Sequence, residues 1–290
     1  MSIFKKKGTK YTNQERILLP IFHFVLLFFA VYELLPFVFV IINSFKGVDE
    51  YYVSAINFPK GFEIRNYLKA FSITYKNTNV LGMFFNTVFF VVSFSFGAMS
   101  SSIMTAYVLS RFRFLGRGFL YGLAVTIQVI PVFGTLGASY QVLNTLGMVD
   151  NIWLLWISGA NGFTFTFLIV FSYFENIDTA YSEAAKVDGA GNFTIFIKIM
   201  VPMVMPAVMT MWLSNFIALW NDYSTPLIFL PNHPTLSTGI YNLKSLTAYI
   251  EGGVTTYFAA VVLAMIPILL LFATFQKKIF KINVDGGIKG

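Results

Sequence analysis

The chain has 290 residues, of which 57% are hydrophobic and 11% charged, with a mean hydropathy of +0.70, 34 Phe and no Cys. A soluble domain carries about 25% charged residues, so this composition excludes an ordinary water-soluble globule and names lipid as the main solvent. The lack of Cys excludes disulfides and Cys-ligated metals, and the net charge of +7 resides in basic residues that flank apolar segments, which leaves no need for a nucleic-acid partner.

An apolar stretch at 17–43, broken only by His23 and Glu33, is the first predicted membrane span. It is too long for a signal peptide, and no small-residue cleavage site follows its apolar core. An external segment at 44–80 leads into span two at about 81–109. Span three covers about 118–141, span four about 152–174, span five about 199–229 and span six about 255–277. Five runs, 77–110, 118–149, 151–174, 199–221 and 252–276, contain no Lys, Arg, Asp or Glu. A helix crosses a hydrocarbon core of about 30 Å in about 20 residues, so each run is long enough. The predicted fold is all-α: one polytopic membrane domain over 1–290 with six transmembrane helices, a cytoplasmic segment at 175–198 and an external loop at about 230–254.

Six spans put both termini on one side. Lys5, Lys6, Lys7, Lys10, Arg16, Arg111, Arg113, Arg117, Lys186, Lys198 and four C-terminal lysines make 14 basic residues on that face, against 6 on the other. The positive-inside rule makes that face cytoplasmic. Prolines within the spans (Pro36, Pro131, Pro202, Pro206, Pro226 and Pro267) leave carbonyls that neighbouring helices or water must satisfy. They fit bent helices around a cavity, and equally plain kinked packing.

Segment 175–198, between spans four and five, is longer than a hairpin needs and concentrates Glu183, Lys186, Asp188 and Lys198. Asp178 or Thr179 is placed to cap a helix, and Glu183 stands three residues before Lys186, a spacing at which helical charges pair. Gly189 supplies a helix-ending position that tolerates left-handed backbone. Ala184 and Ala185 leave part of this short helix nearly bare, so another surface can come close, with Glu183 as a charge for registration. No GxxxxGK[ST] nucleotide loop occurs in the chain. On these residues alone the segment is either a docking helix for a separate cytoplasmic protein or an interfacial helix with solvated charges.

The order Glu183-Ala184-Ala185, three residues, Gly189, nine residues, then Ile199 and Pro202 resembles the EAA loop of the membrane subunits of binding-protein-dependent ABC importers. "INSFK" at 42–46, "AYVLSRFRFLGR" at 106–117 and "WNDYSTPLIFL" at 220–230 resemble the sugar-importer branch, which includes the maltose-permease-type subunits with six spans. The resemblance implies a permease subunit in a bacterial cell membrane that pairs with a second permease. Two ATP-binding subunits would hold ATP and Mg, with no cofactor in this chain, and an extracytoplasmic solute-binding protein would deliver a sugar or oligosaccharide. It further implies that Glu183, Ala184, Ala185, Asp188, Gly189 and Pro202 belong to the ATPase-coupling element, and that the chain itself is not an enzyme.

Polar residues inside the spans are candidates for the solute pathway. Glu33 lies deep in span one, where a carboxylate is costly; it lines the pathway, pairs with the partner subunit, or is a protonated structural acid. Trp220, Asn221, Asp222 and Tyr223 place hydrogen-bonding groups beside aromatic rings, a combination suited to sugars and equally to helix stabilisation near Pro226. Gln128, before Pro131, is a similar candidate. A secondary transporter driven by an ion gradient through Glu33 and Asp222 is the competing reading, and it leaves the spacing around Glu183 to chance. An intramembrane hydrolase finds no support, because His23 is the one His clearly within a span and no nucleophile motif accompanies it.

Overall fold

The computed structural model describes residues 13–130, 134–249 and 251–286; Lys5, Lys6, Lys7, Lys10, Pro131 and Lys289 lie outside them. The described chain is helical almost throughout. α1 (Asn13–Ser44) is followed by the short α2 (Val48–Val53) and α3 (Arg65–Ser72), then by an antiparallel hairpin of β1 (Thr74–Tyr75) and β2 (Thr78–Asn79). Lys76 and Asn77 turn the hairpin with left-handed backbone, φ 47° and 61°, which suits the right-handed strand twist. α4 (Val80–Arg111) starts where Asn79 Oδ1 accepts the Gly82 N–H at 2.8 Å. α5 (Arg117–Val129), α6 (Leu136–Thr145), a 3₁₀ turn at Leu155–Gly159 and α7 (Phe165–Glu175) come next. The second half comprises α8 (Ala180–Val187), α9 (Asn192–Ile195), α10 (Val201–Asn221), α11 (Ser224–Phe229), α12 (Leu236–Ser245) and α13 (Gly253–Gly286).

Four described helical stretches are long and apolar enough to cross a membrane: Leu18–Ser44, Val80–Arg111, Asn192–Asn221 and Gly253–Phe275. The third of these runs from α9 through a π-helical turn at Phe196–Met200 into α10. Pro202 has no N–H for the Lys198 carbonyl, and the wide turn, in which the Val201 N–H reaches back to Phe196 O, carries the helix past that gap.

In the remaining two apolar stretches the described residues form shorter helices. Stretch 118–141 breaks between Val129 and Leu136, with Gly134 at φ +78°. Stretch 152–174 breaks between Gly159 and Phe165, where Thr164 Oγ1 accepts the Phe167 N–H at 3.3 Å and starts α7. Hydropathy extends a helix through both places, but α5 ends at the extended backbone of Ile130, and a side-chain cap at Thr164 starts α7 afresh. Gln128 Nε2 joins the two breaks by donating to Phe163 O at 2.7 Å.

α4 forms the axis of the bundle, with α7 and α10 packed on it. Gly97 lets the 3₁₀ turn at Leu155–Gly159 lie close on α4 as well: a Cβ there would stand 2.9 Å from the Trp156 ring and 3.1 Å from its carbonyl oxygen. The core has two parts. One, toward the start of α4, joins Phe90, Val91, Leu155, Phe216, Trp220 and Leu236. The other, toward its end, joins Ala106, Tyr107, Phe167, Phe174, Ala185 and Phe196. α1 adds nothing to either: its membrane window has no buried residue, and its main packing partner is α13.

Below the end of α1 a polar knot fixes segment 45–67. Lys46 is fully buried, and its Nζ donates to the Ser54 and Ala55 carbonyls at 3.0 Å each. Asn66 Nδ2 donates to the carbonyls of Ser44 and Lys46 at 2.9 and 2.8 Å. Lys46→Met retains the stem and strands two acceptors, so it should cost about 1–3 kcal/mol. The checks are a lower thermal unfolding midpoint in detergent and new protease cleavage within 47–62.

Candidate functional site

The segment between α7 and α10 is built around α8. Asp178 Oδ1 accepts the Ala180 N–H at 2.9 Å and so starts the helix, while Thr179 makes no side-chain cap. At the other end, Ala190 N–H reaches Ala185 O at 2.9 Å and Gly189 N–H reaches Lys186 O at 3.0 Å, with Gly189 at φ +82°. Those two bonds around a left-handed residue are a Schellman closure, which satisfies carbonyls the helix would otherwise leave open.

α8 has two unlike faces. Ala185 is 8% exposed and belongs to the inner core cluster. Glu183, Ala184, Lys186, Val187 and Asp188 are exposed, Val187 at 89%. The two alanines therefore have different roles, where the sequence reading gave both to an outside surface. Ala185 is small so that α8 can lie close on its own bundle; Ala184 leaves the outer face low beside Glu183. Among the described residues the ion pairs are Lys69–Glu251 and Arg117–Glu175. The expected Glu183–Lys186 pair is not formed, as exposed pairs gain little against the entropy of fixing two long side chains. Pro202 is exposed at the start of α10, directly after the π turn.

The second group of candidates gathers at the other end of α10. Trp220 is buried, donates from Nε1 to Ala264 O at 3.2 Å and stacks on Phe216 with ring centroids 5.6 Å apart. Asp222 Oδ1 accepts the N–H groups of Ser224 and Thr225 at 2.9 and 3.1 Å, so its carboxylate is committed to starting α11. Ser237 Oγ donates to Asp222 O at 2.7 Å and Thr238 Oγ1 to Tyr223 O at 3.2 Å, which ties α12 to the break after α10. That tie lays Tyr241 on Tyr223, rings nearly parallel at 15° and 4.3 Å apart. The result is a cavity of about 270 Å³ lined by Trp220, Asn221, Tyr223, Ser237, Tyr241 and Met265.

Trp220, Asn221 and Tyr223 thus share one cavity. Asp222 lies beside them and serves the backbone. Gln128 and Glu33 are elsewhere: Gln128 bonds Phe163 O, and Glu33 stands on the exposed surface of α1 between Tyr32 and Leu34. Sequence reasoning missed Tyr241 and Ser237, because the contact that recruits them is made by backbone carbonyls at the α10–α11 break.

Residues 97–281 match the family described as binding-protein-dependent transport system inner membrane component. The chain is 30% identical, over 92% of its length and 88% of the relative's, to the diacetylchitobiose uptake system permease protein NgcG of Streptomyces coelicolor. It is also 30% identical, over 91% of its length and 96% of the relative's, to the polygalacturonan/rhamnogalacturonan transport system permease protein YtcP of Bacillus subtilis. Its fold superposes with a TM-score of 0.78 on a chain of a bacterial ABC transporter involved in alginate import, covering 93% of this chain and 99% of that one at 22% identity.

Proposed function

Because the chain belongs to the family of binding-protein-dependent transport system inner membrane components, a family of transport permeases rather than enzymes, we propose that it forms half of an ATP-driven import pathway for a sugar or oligosaccharide. The second half is another permease subunit. Two ATP-binding subunits carry the ATP and Mg, a solute-binding protein delivers the cargo outside, and both termini of this chain lie in the cytoplasm with six crossings between them. Permease relatives whose names refer to diacetylchitobiose and polygalacturonan support the carbohydrate class.

The observation that carries the coupling reading is the two-faced α8. Its inner face is anchored by Ala185, its end is closed by Gly189, and its outer face offers Glu183 beside the low surface of Ala184. In this reading Glu183 makes charge-assisted hydrogen bonds in a groove of an ATPase subunit, which fixes register. Asp188 adds a second exposed acid at the helix end, and Pro202 with its π turn transmits the movement of α8 into α10. The cavity beside Tyr223 and Tyr241 supports a pathway role for Trp220, Asn221 and Tyr223. It lies near the lower limit of small-ligand pockets, about 300 Å³, and so suits one ring of a longer sugar. The breaks at Gly134 and before Thr164 support the same reading, since irregular backbone at membrane depth persists where protein or a water-filled path covers it.

Affinity isolation of the tagged chain from its native membrane, with mass spectrometry of the co-purifying chains, tests the proposal. A nucleotide-binding ATPase and a second permease are expected; recovery of this chain alone after crosslinking would overturn it. Oligosaccharide screening of the co-purified binding protein then identifies the cargo. Asp222→Asn separates the ion-gradient alternative: Asn caps nearly as well as Asp, so growth on that cargo should be unchanged. Loss of growth would point to proton coupling through Asp222.

A further inference from the structure

Arg111 ends α4, and it reaches across to the exit of α7 rather than into water. Its Nη2 donates to Phe174 O and, at 2.6 Å, to Ile177 O. Those carbonyls lie in the last turn of α7 and in the two residues that follow it, directly before α8. A guanidinium there satisfies open helix-end acceptors and opposes the negative end of the helix dipole. Arg111 Nε is buried without a hydrogen-bond partner. The side chain has given up water on one side to hold the carbonyls on the other, as a surface charge does not.

One turn earlier on the same helix, Tyr107 has its ring 5.5 Å from Phe174 and 4.7 Å from Phe196. Phe174 precedes α8 and Phe196 follows it, at the first residue of the π turn. The last two turns of α4 therefore grip the chain both where it enters and where it leaves the α8 segment. Ala185 rests on the same cluster between those points. The neighbouring pair Arg117–Glu175, at 2.8 Å, is partly exposed on both sides and lacks this double attachment.

We propose that Arg111 is a positioning residue: by holding the Phe174 and Ile177 carbonyls, it makes α8 and the end of α4 move as one body, so that displacement of α8 reaches the membrane helices. The proposal rests on the reading of α8 as the ATPase-coupling element. It differs from that reading in naming a residue that touches neither ATPase nor cargo and yet decides whether the motion is passed on.

The chain has no Cys, so Ile240→Cys places a single thiol of this chain at the cavity beside Tyr241. The complex with its partner chains, in nanodiscs, is treated with a water-soluble maleimide, with and without ATP and vanadate. The rate of labelling of this chain reports whether the cavity responds to nucleotide. With Arg111 intact, trapping should change the rate by roughly tenfold, the effect of a shift of about 1.4 kcal/mol. In R111Q the change should fall below about twofold while vanadate-sensitive ATP hydrolysis and ATPase recovery persist, because the charge-assisted bonds are gone. R111K, whose ammonium keeps the charge on a shorter reach, should give an intermediate response, and R117Q, which removes a partly exposed pair, the full one. A full response in R111Q overturns the proposal. If R111Q fails to assemble, R111K decides: an intermediate response supports the proposal and a full response overturns it. No response with Arg111 intact overturns the coupling reading itself, and this proposal with it.

Discussion

Ala184→Arg and Ala185→Arg are expected to fail in different ways, although the residues are neighbours of the same type. Ala184 lies on the exposed face of α8. Arg there meets no clash within the chain and keeps good helix propensity, so the protein should accumulate and unfold like the wild type. What it should lose is the partner: a long cation beside Glu183 fills the low surface and competes for the carboxylate. Recovery of the ATPase subunits in affinity isolation should drop by roughly tenfold or more, as truncation or blockage at the centre of an interface costs about 2 kcal/mol or more. Ala185→Arg pushes a charge into the cluster of Tyr107, Phe174, Ile195 and Phe196. An unpaired buried charge costs about 3–5 kcal/mol, so α8 should detach from the bundle. The measurement is limited proteolysis of 176–198 together with thermal unfolding: Ala185→Arg should be cut rapidly and melt early, Ala184→Arg should do neither. Equal behaviour in both assays would sink the two-faced reading of α8.

Gly189→Val should be the second severe change, and Gly189→Asn its mild counterpart. The residue has φ +82°, and its N–H and that of Ala190 close α8 onto Lys186 and Ala185. A β-branched residue is a genuine outlier in left-handed backbone, at a cost of about 1–3 kcal/mol. If the chain relaxes instead, it loses two hydrogen bonds of about 0.5–1.5 kcal/mol each and the turn that sends the chain toward α9. Asn visits this conformation readily. Nothing packs against a Cβ at Gly189, so strain alone separates the two variants. ATP-dependent transport by the assembled complex should be largely abolished in Gly189→Val and nearly normal in Gly189→Asn. Equal loss in both would mean that the position needs the absence of a side chain, not its backbone angle.

Much of this architecture is legible in the sequence. Charge-free runs mark the apolar segments because a charge in hydrocarbon is so costly that its absence carries information. The end of α8 is legible because few residues other than Gly accept φ +82°. The two faces of α8 are not: an eight-residue helix holds barely two turns, so its rotation against the bundle is set by the core beneath and leaves no periodic trace. The breaks at Gly134 and before Thr164 are hidden for a related reason, since hydropathy averages over a window longer than the break. Lys46 reads as one more basic residue in a polar segment, and only the Ser54 and Ala55 carbonyls reveal that it is a buried fastener. The cavity at Tyr223 depends on Tyr241, brought there by Ser237 and Thr238 bonding to carbonyls fifteen residues away.

The bare flank of α1 bears on biosynthesis. Among the described helices α1 is synthesised before the others, yet it packs chiefly against α13, which is synthesised after them. Until α13 has been made, α1 lacks its main packing partner. Closing this contact spans most of the chain, so it is slow on topological grounds alone. A chain cut short before residue 253 would lack the contact altogether. The α1–α13 contact is therefore a late step of assembly, made only after the helices between them have been synthesised.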